Sequence, residues 1–229
     1  MKLPRHLETV EDPRLNAVRD AIAAFEDEKL VEGRLDLLEA ERTRLLADQS
    51  SFDDRDGTVT VAAFTGRVSK PPNWCRFLHA LTRGLASENV VEMGTGVGIS
   101  AGAIATALRP GSSMWTIDVR PESGAQARRL LLRLGVWCFA VTGRFDEGLE
   151  QVLTEAKPVD LLFVDGHHRQ HPTLRYTEQA APYLSDHAVV VYDDIRWSEE
   201  MQLAWLEITF QDRWAWSVDL EGVGVCAIG

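Results

Sequence analysis

The chain has 229 residues, 45% of them hydrophobic, and a formal net charge of -11. That length and apolar fraction suit one sizeable α/β domain with an appendage, and the acidic balance excludes nucleic acid and anionic membrane surfaces as main partners, since phosphate groups need a basic face. The three cysteines, Cys75, Cys138 and Cys226, form no CxxC or zinc pattern and read as free thiols of a reducing compartment.

MKLPRHLETVEDPR has no apolar core of a leader peptide, and no apolar run nears the ~20 residues of a membrane span. The expected location is cytoplasmic. Residues 13–48 repeat apolar side chains at helical spacing, Leu15, Val18, Ile22, Phe25 and then Val31, Leu35, Leu38, Leu45, which predicts one or two helices with a break at Gly33. Residues 1–58 are read as a helical extension, a lid or a dimer contact, and 59–229 as the main domain. QSSFDDRDG (49–57) reads as a loop, and VTVAAF (59–64) as a strand or a helix turn. Pro71 and Pro72 suit the start of a helix over 73–85.

From residue 89 the chain alternates. Apolar runs at 89–94, 113–119, 136–143, 159–166 and 187–194 predict strands, with helices over 97–108, 122–134, 146–156, 172–183 and 198–210 between and after them. Residues 212–219 and 222–228 should close an antiparallel hairpin. The regular alternation implies a doubly wound, mostly parallel sheet with helices on both faces.

Ligands of such sheets bind outside the carboxyl ends of the strands. The first strand ends in Glu92 and then Gly94, Gly96 and Gly98, the second in Asp118, the third in Gly143 and Arg144, the fourth in Asp165, His167 and His168, and the fifth in Asp193 and Asp194. Glycines let a ligand touch the backbone, but their spacing fails the dinucleotide fingerprint, and no Lys-Ser or Lys-Thr completes a phosphate loop. A carboxylate at residue 92 disfavours a pyrophosphate and suits a sulfonium or ammonium ligand. Asp118 stands where an acidic group accepts from ribose hydroxyls. A cationic ligand with a ribose and no phosphate is S-adenosylmethionine.

VVEMGTGVGIS (90–100) followed by TIDVRPE (116–122) resembles the first two motifs of class I S-adenosylmethionine-dependent methyltransferases, and FVDGHH and VVVYDDIRWS resemble the bacterial, catechol O-methyltransferase-like branch. The resemblance covers about residues 59–229. It implies a seven-stranded sheet of order 3-2-1-4-5-7-6 with the last strand antiparallel. It implies cofactor contacts from Glu92, Gly94, Thr95, Gly96, Gly98, Ser100, Asp118, Val119, Gly143, Arg144, Phe145 and Asp165. It also implies a Mg²⁺ or Mn²⁺ site on Asp165, Asp193 and Asp194, oxygen ligands that suit a hard cation. Where catechol-type members place a lysine base, this chain has His168, preceded by His167; with Asp165 these are the catalytic candidates. The expected reaction is methyl transfer to a hydroxyl of a small molecule, with metal assistance. The alternatives are a metal-independent enzyme with a histidine base and a non-catalytic S-adenosylmethionine-binding protein. A homodimer is also an expectation.

Overall fold

The computed structural model describes residues 1–27, 34–54 and 57–229. In chain order the elements are α1 (Pro13–Glu26), α2 (Leu35–Ala47), β1 (Ser51–Asp54), β2 (Gly57–Thr60), α3 (Val61–Val68), α4 (Pro72–Leu85), β3 (Asn89–Met93), α5 (Ile99–Ala105), β4 (Ser113–Asp118), α6 (Pro121–Leu134), β5 (Phe139–Thr142), α7 (Phe145–Ala156), β6 (Val159–Val164), α8 (Gln170–Ala180), β7 (Leu184–Tyr192), α9 (Glu199–Thr209), β8 (Trp214–Asp219) and β9 (Gly224–Ile228). The break expected at Gly33 lies outside the described residues.

The main sheet runs β5-β4-β3-β6-β7-β9-β8. Numbered without β1 and β2, this is the expected order 3-2-1-4-5-7-6. The strands β3 to β7 pair in parallel, and β9 runs antiparallel to both β7 and β8. Side chains alternate across a strand, so neighbours fall into two apolar clusters. Val90, Leu161 and Val189 pack on one face with α1, α2, α4, α5 and α6 residues such as Leu15, Leu38, Leu81, Ile104 and Leu130. Val91, Leu162 and Val190 pack on the other with Leu149, Val152, Tyr176 and Ile208 from α7, α8 and α9. The same period of two places Glu92, Asp118, Asp165 and Asp193 toward the first face, at or just past the strand ends.

Three local readings change. Residues 51–54 and 57–60 pair as an antiparallel hairpin, Phe52 opposite Val59, where a loop was expected. Phe52 packs edge-on against Phe64 at 5.1 Å, an apolar anchor inside an otherwise polar stretch. VTVAAF divides: Thr60 ends the strand, and its hydroxyl accepts from Ala63 N at 3.1 Å to open α3. The strand expected over 136–143 shrinks to 139–142, because Gly135 terminates α6 in the left-handed region (φ 64°).

The N-terminal helix is tied to the last strands. Asp12 caps α1, accepting from Arg14 N (2.8 Å), from the Arg14 guanidinium (Nη2, 2.7 Å) and from Trp216 Nε1 (2.8 Å), while Arg14 Nη1 donates to Ile228 O (2.6 Å). The Arg14 hydrogen bonds, with Trp216, hold the Asp12 carboxyl down at about 2 despite its burial. Its stabilisation is present above the ordinary carboxylate range and is lost as pH falls toward 2. Asp12→Ala removes the cap and strands Trp216, a loss of roughly 2–3 kcal/mol. Urea denaturation at pH 7 checks this, and the difference from wild type shrinks in acid.

Candidate active site

The strand ends meet because the backbone ladder continues past them. Gly94 N donates to Ile117 O (2.9 Å), Asp165 N to Met93 O (2.8 Å), Gly143 N to Asp118 O (2.9 Å) and Asp193 N to Val164 O (2.9 Å). Above this line lies a cleft of about 920 Å³. One wall is α3 and the link to α4: Phe64, Arg67, Val68, Ser69, Lys70 and Pro71. The other is Phe145 with the loop after β6, and Trp197 stands at the mouth, 74% exposed.

Of the residues expected to hold the cofactor, Gly94, Gly96, Asp118, Val119, Arg144, Phe145 and Asp165 line the cleft. Asp118 is oriented by two backbone donors, Gly96 N to Oδ2 (2.9 Å) and Arg120 N to Oδ1 (3.0 Å). Each oxygen keeps a second lone-pair direction for a ligand hydroxyl. The Arg120 guanidinium bonds Asp54 of the hairpin (Nε to Oδ1, 2.9 Å), as does that of Arg67, and both guanidinium groups lie over the Phe64 ring. The hairpin is thereby latched to the end of β4. Phe145 stands edge-on to both His167 and Tyr176, at 5.7 and 5.6 Å.

Glu92, Thr95, Gly98, Ser100 and Gly143 are not among the cleft-lining residues. Gly98 (φ 89°) is needed for packing: a Cβ there would stand 2.9 Å from Ala127 Cα of α6. Thr95 Oγ1 pairs with Thr116 Oγ1 at 2.6 Å, below the turn. Glu92 is wholly buried; Thr116 Oγ1 donates to its Oε2 at 2.5 Å, and its Oε1 has no hydrogen-bond partner among the described residues. Burial pushes this carboxyl up to about 8, with Ser100 and Thr116 offsetting part of the rise. Burial thus favours the neutral acid form of Glu92 under the glycine turn. Asp118, by contrast, lines the cleft itself.

At the other end of the cleft, the side chains form ion pairs around Lys70. Its ammonium contacts Asp193 Oδ2 and lies 3.4 Å from Asp165 Oδ2. Burial raises the Asp165 pKa, and Lys70 and then His168 oppose that rise. His168 is bracketed by carboxylates, Nε2 3.5 Å from Asp165 Oδ1 and Nδ1 4.0 Å from Asp194 Oδ2. His167 is turned elsewhere: its Nδ1 lies 2.6 Å from Tyr176 Oη, and its ring stacks on that tyrosine. His167, His168 and Asp194 all adopt positive φ (64°, 42° and 55°). Non-glycine residues held there store strain of order 1 kcal/mol or more each, a cost that clusters at functional sites.

The expected metal set does not assemble. Asp165 and Asp193 both face Lys70, while the Asp194 side chain, 43% exposed, turns toward His168. Among the described residues no group of three or more His, Cys, Asp or Glu is arranged to hold a metal ion. Sequence reasoning missed Lys70, Arg67 and Phe64. The available signal was the cation two residues before Pro72, since a Pro pair fixes the backbone at a helix start that faces the strand ends.

This sheet order, with a glycine turn after its first strand and a pinned aspartate at the end of its second, defines a class I methyltransferase fold. Residues 91–195 match the family described as "Methyltransferase domain". A protein of Mycobacterium sp. (strain JLS), named among the O-methyltransferases, is 32% identical over 135 residues, 55% of this chain and 59% of that protein, so the match spans less than two thirds of that relative. The catechol O-methyltransferase of Niastella koreensis is 28% identical over 163 residues, 70% of this chain and 69% of that enzyme. The crystal structure of an O-methyltransferase from Bacillus cereus in complex with S-adenosylhomocysteine superposes with a TM-score of 0.67 at 16% identity, covering 94% of this chain and 100% of that one. The matched segment, residues 91–195, spans the strands whose ends form the cleft, and the likeness to these named O-methyltransferases agrees with the methyltransferase fold of the sheet. Among the described residues no helix is long and apolar enough to cross a membrane.

Proposed function

We propose that this chain transfers the methyl group of S-adenosylmethionine to a hydroxyl of a small molecule. The observation that carries the reading is Asp118, buried to 6% exposure, its two oxygens oriented by Gly96 N and Arg120 N at the rim of a cleft that can enclose a nucleoside. Val119 and Phe145 offer apolar surface to the adenine, and the bare backbone at Gly94 and Gly96 admits the methionine part. The likeness to an O-methyltransferase and a catechol O-methyltransferase supports oxygen as the acceptor atom.

The transfer is an in-line displacement. Alignment of acceptor oxygen, methyl carbon and sulfur supplies ~7–11 kcal/mol of the barrier in such reactions. The walls that fix this line are α3 on one side and the loop after β6 on the other. His168, which lies between Asp165 and Asp194 in the cleft, is placed to take the hydroxyl proton. His167, bonded to Tyr176, serves as wall. Asp165 and Asp193 have Lys70 between them and do not fit a divalent cation, so the metal-independent form of the reaction is the one favoured by this arrangement.

Titration calorimetry with S-adenosylhomocysteine tests the reading. Wild type binds, and Asp118→Ala, losing charge-assisted hydrogen bonds to the ribose, weakens binding by ~10²-fold or more. Absence of heat with wild type, or undiminished affinity in the variant, overturns it.

A further inference from the structure

We propose that Lys70 is the resident cation of the acceptor end, its ammonium holding the place between Asp165 and Asp193 that a divalent ion takes in metal-dependent members of the fold. The inference rests on the methyl-transfer reading for its chemistry but not for its test. Four observations carry it. The ammonium contacts Asp193 and lies 3.4 Å from Asp165, and its side chain is only 15% exposed. Lys70 lines the same cleft as Gly94 and Asp118. Its backbone is fixed by Pro71 and Pro72 at the start of α4. The neighbouring Ser69 Oγ is buried without a hydrogen-bond partner among the described residues, although Ser69 also lines the cleft, so a polar ligand atom would satisfy it.

An ammonium has three hydrogens. Two face the carboxylates, and the third is available to the acceptor oxygen. In the transfer, the acceptor O–H bond breaks and its proton goes to the His168 imidazole. The oxygen's electron pair forms the bond to the methyl carbon. The carbon–sulfur bond breaks with its pair left on sulfur, which turns from sulfonium to neutral thioether. Lys70 stabilises the negative charge that develops on oxygen without reorganising, the role a fixed cation plays in a site shielded from water. A divalent ion in the same place would have to expel a positive charge already paired twice.

Mn²⁺ is the probe, titrated into the full chain and followed by electron paramagnetic resonance, with S-adenosylhomocysteine calorimetry on each protein as an independent check of the cofactor reading and of folding. Wild type shows no saturable Mn²⁺ site. Lys70→Met keeps the apolar stem but removes the charge, and one site appears, which Asp193→Asn in the same background abolishes. A saturable Mn²⁺ site on wild type overturns the proposal, and so does a folded Lys70→Met protein that gains none. Failure of wild type to bind S-adenosylhomocysteine would defeat the cofactor reading while the Mn²⁺ result still decides the cation.

Discussion

Gly94→Ala is expected to leave little folded protein at 25 °C. The residue sits where β3 gives way to the turn, at φ 107°, a region that side-chain-bearing residues rarely enter. A methyl group there would stand 1.9 Å from the Asp165 carbonyl oxygen, which belongs to the neighbouring strand end and not to a flexible side chain. Relief requires β3 and β6 to part at the centre of the sheet, where Met93 O accepts from Asp165 N. A clash against backbone together with a forbidden φ belongs among the substitutions that exceed ~4–5 kcal/mol. Against the ~5–15 kcal/mol of an ordinary domain, that is most of the stability. Gly96→Ala provides the internal comparison. Its φ of 50° is tolerated by other residues at a modest cost, and the nearest atom to an added methyl is Val68 Cγ2, a side chain, at 3.3 Å. Urea unfolding of both variants should rank them far apart. A Gly94→Ala midpoint equal to that of wild type would show that the strands are not held as close as described.

That contrast also explains what could be read from the residue pattern alone. The parallel sheet was legible because β3, β6 and β7 are apolar on both faces, a pattern imposed by helices on both sides. The cleft was legible on the strand side, since one polar group per strand end is a local signal. The opposite wall was not. Lys70, Arg67 and Phe64 lie 20 or more residues before the strand ends they face, and no local period connects Asp54 with Arg120 or Lys70 with Asp193. Those pairings are set by how α3 and α4 pack. The surroundings of the expected metal set were hidden for the same reason: the three aspartates stand at the expected strand ends, but a distant cation engages two of them. Burial was the other hidden quantity. Glu92 stands two residues before Gly94, which lines the cleft, yet its side chain is buried beneath the turn, and this favours its neutral form.

Glu92→Gln should make the protein more stable in alkali than the native chain, a direction opposite to that of most buried substitutions. Desolvation pushes the Glu92 carboxyl up to about 8, and the neighbouring Asp165 and Asp118 charges add to the rise. In the unfolded chain the group ionises near ~4.3. Between those values the unfolded state has released the proton and the folded state keeps it, so the unfolded state binds fewer protons and stability falls as pH rises. The penalty is absent below about pH 4 and complete above about pH 8, where it reaches roughly 5 kcal/mol at ~1.36 kcal/mol per pH unit. Glutamine has nearly the same shape, can accept the Thr116 hydroxyl hydrogen bond and does not titrate. Its amide must be buried where Glu92 Oε1 has no partner among the described residues, a cost of ~1–3 kcal/mol that does not vary with pH. The two stability curves should therefore cross. Wild type is the more stable at pH 5, and the variant leads by pH 9, by a few kcal/mol. Denaturant unfolding at a series of pH values reads the crossing directly. Parallel curves would mean that Glu92 is already ionised in the folded chain, satisfied by water or by a group that reaches its free oxygen.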